Sequence, residues 1–115
     1  MTTEWVTVYI KPFSTNQIHL GRKVLSPNYR HFRKEFSKLL PDIEVPKGPL
    51  VLSVVVGVSN RNSDLDNTFK PFLDALAERY GFNDRQIFRI IATKKIVKKG
   101  KESFNFNLSE YQGET

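Results

Sequence analysis

The run from Leu50 to Val58 constrains this chain more than any other feature. It is short and dominated by Val, whose branched side chain suits a pleated, buried surface, so it reads as a buried strand rather than a helix. Counted from Pro49, it is the longest apolar stretch, and Ser53 and Gly57 interrupt it. A membrane-spanning helix needs ~20 apolar residues, so this stretch is far too short to be one. The rest of the chain must therefore build one water-soluble core around this strand.

The material for such a core is present. The 115 residues are 39% hydrophobic and include nine Phe, which excludes disorder along the whole chain. A domain of this length buries roughly 65% of its unfolded surface, so one domain over residues 1–115 is expected, fraying from about Gln112. With no Cys, disulfides, thiolate metal sites and a Cys nucleophile are excluded. The segment Met1 to Trp5 shows no basic stretch leading into an apolar one, so no signal peptide is expected and the expected compartment is cytoplasmic.

Residues Trp5 to Ile10 alternate and are rich in β-branched and aromatic types, which predicts a strand with Trp5 in the core. Phe13 to Leu25 lacks a period and reads as a loop. Ser26-Pro27 is a hydroxyl cap followed by Pro at the first helical position. Tyr29, Phe32, Phe36 and Leu39/Leu40 then form one apolar stripe, ended by Pro41. A second helix is expected from near Asp66 or Asn67, with Pro71 in or near its first turn. Its apolar face is Phe69, Phe72, Leu73, Leu76 and Tyr80, and Gly81 stops it. Gln86 to Val97 reads as a strand, Lys98 to Lys101 as a hairpin turn, and Ser103 to Ser109 as the partner strand. The order β-α-β-α-β-β predicts an α+β fold, a two-layer α/β arrangement of a small mixed sheet under two helices.

Charge is distributed unevenly over these elements. Residues 1–48 carry eight Lys/Arg and four acids, and residues 85–115 carry seven and three. Residues 49–84 reverse the balance with three bases and five acids, inside a chain of net charge +6. Helices need surface acids, which is the plain explanation. The sharper one is a divalent cation held between carboxylates and phosphates. In an extended chain Asp64 and Asp66 point the same way, roughly 7 Å apart. Lys70 follows at a helical offset, and an ammonium there can neutralise charge developing on a phosphoryl group. Asp84 supplies a third acid, though a standard strand–helix–strand crossover places it at the far end of the sheet from Asp66. On spacing alone, Asp66 can equally cap a helix while Asp64 and Asp84 sit in turns.

These residues resemble a known pattern. Asp64-x-Asp66-Asn67-x-x-Lys70-x-x-x-Asp74-x-Leu76, followed by Gly81-Phe82-Asn83-Asp84-x-Gln86-Ile87, is similar to the signature of RusA-type Holliday-junction resolvases. Upstream, Pro12, Asn16, Gly21-Arg22 and the helix bearing Tyr29, Arg30, Phe32 and Arg33 fit as well, so the likeness runs from about Lys11 to Ile96. Asn83 departs from it, since many relatives carry a second Asp there. The resemblance implies a RusA-like fold and a homodimeric endonuclease, common in phages and prophages. Such an enzyme is Mg2+-dependent, with Mn2+ a possible substitute, and nicks four-way DNA junctions symmetrically in recombination and repair. It implies that Asp64, Asp66 and Asp84 are metal-binding catalytic carboxylates and that Lys70 is the catalytic lysine. Asn67 and Asp74 match the motif, but the first can merely cap the helix and the second merely brace it. The implied chemistry is phosphodiester hydrolysis, with metal and Lys70 stabilising the leaving 3′ oxygen and 5′-phosphate ends left behind.

The basic segments then gain a use. Arg22, Lys23, Arg30, Arg33, Lys34 and Lys38 can follow phosphates along the junction arms, as can Lys94, Lys95, Lys98, Lys99 and Lys101. His19 and His31 have no ligand spacing and read as surface or packing residues. Phe13 or Phe69, flanked by polar sequence, could wedge into an opened junction. Two other functions compete: a non-catalytic nucleic-acid-binding module and a nuclease acting on flaps or forks. Paired cuts need two active sites, hence a homodimer, with the Leu50–Val58 strand or the first strand as its interface.

Overall fold

The structure, a computed structural model, describes residues 3–13 and 26–113. Its elements are β1 (Val6–Val8), α1 (Pro27–Leu39), β2 (Leu50–Val58), α2 (Leu65–Tyr80), β3 (Ile87–Ile96) and β4 (Ser103–Glu110), in the expected order. Together they make a small mixed sheet of four strands with two helices, an α+β fold. No described helix is long and apolar enough to cross a membrane.

The ends of the elements follow local chemistry. The Ser26 hydroxyl accepts the Tyr29 N–H at 3.1 Å, and Pro27 opens α1 where its missing N–H costs nothing. Gly81 closes α2 at φ 72°, a left-handed conformation that a side chain would strain. Pro71 is the seventh residue of α2 rather than one of its first turn, because the helix starts at Leu65, earlier than expected. It cannot donate to the carbonyl four residues back, and its ring is buried.

The sheet order is β1-β4-β2-β3. β2 and β3 run parallel, which requires a crossover, and α2 supplies it. β4 is antiparallel to both β2 and β1. The expected hairpin between β3 and β4 is therefore not formed, because β2 lies between them. The turn at Lys98–Lys101 carries the chain across the C-terminal end of β2. Gly57 makes that crossing close: a Cβ there would stand 3.0 Å from Ser103 Oγ and 3.3 Å from Val97 Cγ1. With a neighbour on each side, β2 has no free edge to offer a second subunit.

One face of the sheet is buried under the helices. Leu50, Leu52, Val54 and Val56 point into it from β2, joined by Phe104, Phe106 and Leu108 of β4. Phe72 of α2 stacks on Phe104 with ring centres 4.5 Å apart, and Phe36 of α1 lies 5.7 Å from Phe72. Such ring pairs add about 0.5–1.5 kcal/mol beyond the area they bury. Trp5, expected in the core, is 53% exposed. Val6 and Val8 take the inward positions of β1, so alternation sends Trp5 toward the uncovered face.

Candidate active site

α2 organises the candidate catalytic residues. Asp64 is its N-cap and retains extended backbone, with φ −81° and ψ 125°. Asp66 already lies in the first helical turn, where a carboxylate is favoured by the helix dipole. The two acids therefore do not share the extended segment that would align them, and the strand-like pairing expected from the sequence is not formed. Asp64 instead accepts a hydrogen bond from Asn67 Nδ2 at 3.1 Å.

Asp66, Lys70 and Asp74 recur every four residues and so line one face of α2. Asp66 and Lys70 border a cleft of about 480 Å3 with Phe69 and Ile90. Lys70 Nζ donates to Asp74 Oδ1 at 3.0 Å, and this bond holds the ammonium above the ordinary lysine range. Partial burial opposes that shift, while the charges of Asp74 and Asp84 add to it. Lys70 is thus a fixed positive charge at neutral pH, suited to stabilising an oxyanion and unsuited to acting as a base.

Asp84 stands past the other end of α2, in a single 3-10 turn over Asp84–Gln86. There it shares a shallow cleft of about 340 Å3 with Arg33, Asp74 and Asn83. Asn83 has structural work in the same turn. Its side-chain oxygen accepts the Arg85 N–H at 2.9 Å, and its own N–H donates to Gln86 Oε1 at 3.0 Å.

The three candidate metal ligands border three different clefts. Their oxygens are the donor class that Mg2+ takes. Yet among the described residues no three acids or histidines stand close enough to hold one ion. As placed in the single chain, the set does not fit a three-carboxylate centre.

The basic residues separate into those facing solvent and those already engaged. Arg30 and Lys34 are exposed and border a groove on α1 of about 460 Å3. Arg33, in the same groove, is paired with Glu78 and stands 5.6 Å from the Tyr29 ring. Tyr29 is buried, and that burial pushes its hydroxyl up, with the Arg33 charge opposing. Lys95 is exposed, aligned with Gly57 on the sheet face away from the helices. Lys94 donates to the carbonyls of Arg61 and Ser63 at 2.7 and 3.1 Å, which pins the loop leading into Asp64. Arg22, Lys23 and His19 lie outside the described residues, as do Asn16 and Gly21. Phe13 packs 5.5 Å from Tyr29 and 5.6 Å from Phe32, and Phe69 lies 6.2 Å from Phe72, so both serve the core.

Sequence reasoning passed over Glu102 and the loop Ser59–Ser63. Glu102 accepts from Ser59 Oγ at 3.0 Å and from the Gly100 N–H at 2.7 Å, tying the β2–α2 loop to the β3–β4 turn. Its own backbone N–H, the Ser59 hydroxyl and the Gly100 N–H hold this carboxyl below the usual range. Position at the ends of the strands was the only available signal for these residues. A family model for endodeoxyribonuclease RusA matches residues 11–102 of the chain. No curated protein matches it.

Proposed function

The chain belongs to the RusA endodeoxyribonuclease family, and on that premise we propose that it resolves four-way DNA junctions by paired nicks on opposing strands. The observation that carries the proposal is the family match itself, whose span of residues 11–102 includes Asp64, Asp66, Lys70 and Asp84. The charge layout agrees with it: acids concentrate on α2, and basic surface flanks them on α1 and beyond β3.

Family nucleases depend on a divalent metal, and Mg2+ is the cation proposed here, with Mn2+ as a substitute. Asp64, Asp66 and Asp84 are its proposed ligands; because they do not form one centre within the single chain, a second copy or the DNA phosphates would have to complete it. A divalent cation supplies charge neutralisation at the phosphoryl oxygens. The chain's own contribution is Lys70, whose ammonium stabilises the charge that collects on the leaving oxygen. Arg30 and Lys34, with Arg22 and Lys23, hold the phosphates of the arms. These contacts position the junction without reading its sequence. Paired nicks require two sites, so the working unit is a homodimer in the cytoplasm of a bacterial or phage-infected cell. Among the described residues the sheet ends on β1 and β3, whose outer sides are the proposed edges for a partner.

The test separates cleavage from binding. Asp66→Asn should abolish nicking of a four-way junction while leaving its affinity equal or higher, because a carboxylate that repels phosphate has gone. Undiminished nicking by this variant would overturn the site. Unchanged binding with no nicking by the unaltered protein would favour the non-catalytic binding module. Light scattering should give twice the chain mass, and a monomer at working concentration would contradict the dimer.

A further inference from the structure

Every strand connection near the site meets at one end of the sheet. β1, β2 and β3 run in the same direction, since β1 and β2 are each antiparallel to β4 and β3 is parallel to β2. Their C-terminal ends and the start of β4 therefore share an edge. Parallel strands leave such a crevice where their connections diverge, and ligands bind there. In this chain the crevice is a cleft of about 600 Å3, within the roughly 300–1,000 Å3 of small-molecule sites. Lys11, the Ser59–Ser63 loop, the first turn of α2 and the Lys99–Glu102 turn border it.

The lining is chemically specific. Val58 and Pro12 are its apolar lining, and Lys11 and Lys99 border it together with the carboxylates of Asp64 and Glu102. Neither lysine forms an ion pair with a described residue. Two carboxamides face it from the loop. The Asn60 side-chain oxygen is used within the loop, accepting the Asn62 N–H at 2.9 Å. The Asn62 carboxamide has no hydrogen-bond partner among the described residues. A carboxamide offers a donor and an acceptor side by side, the pattern that base edges present. Lysines answer phosphate, and apolar lining answers the face of a base. The walls are also fixed relative to one another, by Glu102 across the Ser59 and Gly100 bonds and by Lys94 beneath the loop.

We infer that this cleft takes an unstacked nucleotide next to the cut and that Asn62 reads its base, so that the pocket selects which dinucleotide at a junction is nicked. The inference rests on the nuclease reading above and adds to it a base-reading subsite that adjoins the proposed metal ligand Asp64. Lys11 and Lys99 hold the flanking phosphates, and Asn62 is the discriminating group.

The test uses the full-length protein and a set of static four-way junctions that differ only in the dinucleotide at the crossover. The ratio of nicking rates between the best and worst dinucleotide is measured for the unaltered protein, Asn62→Ala and Lys99→Ala. Asn62→Ala should narrow that ratio by about fivefold or more, as expected for loss of a base-reading side chain. Lys99→Ala should lower all rates alike and keep the ratio. A second reading needs no cleavage. A junction carrying 2-aminopurine beside the crossover, bound in EDTA, should brighten with the unaltered protein and not with Asn62→Ala. A ratio that Asn62→Ala leaves unchanged overturns the inference. If the unaltered protein nicks none of the junctions, the nuclease reading falls and the fluorescence decides the pocket: brightening that depends on Asn62 supports it, and its absence overturns it.

Discussion

Lys94 shows how residue type and residue role can part company. In sequence it is one of five lysines around a turn, and any of them suits a phosphate. In the folded chain its ammonium is spent on the Arg61 and Ser63 carbonyls, beneath the loop that delivers Asp64. Only the register of β3 against β2, which aligns Lys94 with Val56, reveals this. Local periodicity has no access to such a pairing. Lys94→Ala should therefore cost about 1 kcal/mol or less in thermal unfolding, the scale of an exposed hydrogen bond. It should lower nicking more than binding, because the loop before Asp64 loosens. Its salt dependence of DNA affinity should match that of the unaltered protein. A lost phosphate contact would instead reduce the log–log slope by about one, and that result would return Lys94 to the DNA surface. Asp64 and Asp66 teach a related lesson. Their types were legible, but their alignment was not, since it turned on α2 starting at Leu65 rather than near Asp66.

Among the elements, what could be read was what local chemistry dictates. The Ser26 cap, the Gly81 stop and the full extent of β2 follow from neighbouring residues. The order of strands in the sheet does not. β4 and β3 adjoin in sequence through a turn that looks like a hairpin, yet β4 pairs with β2 along its length. The apolar alternation of Phe104, Phe106 and Leu108 suits either neighbour, so pattern alone cannot choose. Gly57 carries the missing information, because the chain can cross the end of β2 only where no side chain intervenes. Gly57→Ala should lower stability by about 1–3 kcal/mol, as overpacking does. A melting temperature several degrees lower is the expected reading. The same variant should impair nicking beyond what its stability loss explains, since the crossing segment carries Lys99 and Glu102. A melting temperature equal to that of the unaltered protein would mean that the turn moves aside freely, and the argument for a fixed cleft wall would fail.

For the whole molecule, the account joins a basic surface to an acidic helix within a chain of net charge +6. The RusA family accounts for both at once. On the proposed function, the surface collects phosphates and the helix brings acids and Lys70 to the strand that is cut. Within one chain the acids border separate clefts, and the proposed function would need the DNA-bound dimer to complete the centre. The most direct measurement is denaturing-gel mapping of a four-way junction labelled at each 5′ end in turn, incubated with the protein and Mg2+. The account predicts nicks at symmetric positions on one opposing pair of strands, with 5′-phosphate ends that ligase rejoins, all abolished by EDTA. Nicks confined to one strand, or equal cutting of flaps and forks, would contradict resolution of junctions. Tight binding with no nick at all would contradict the nuclease itself.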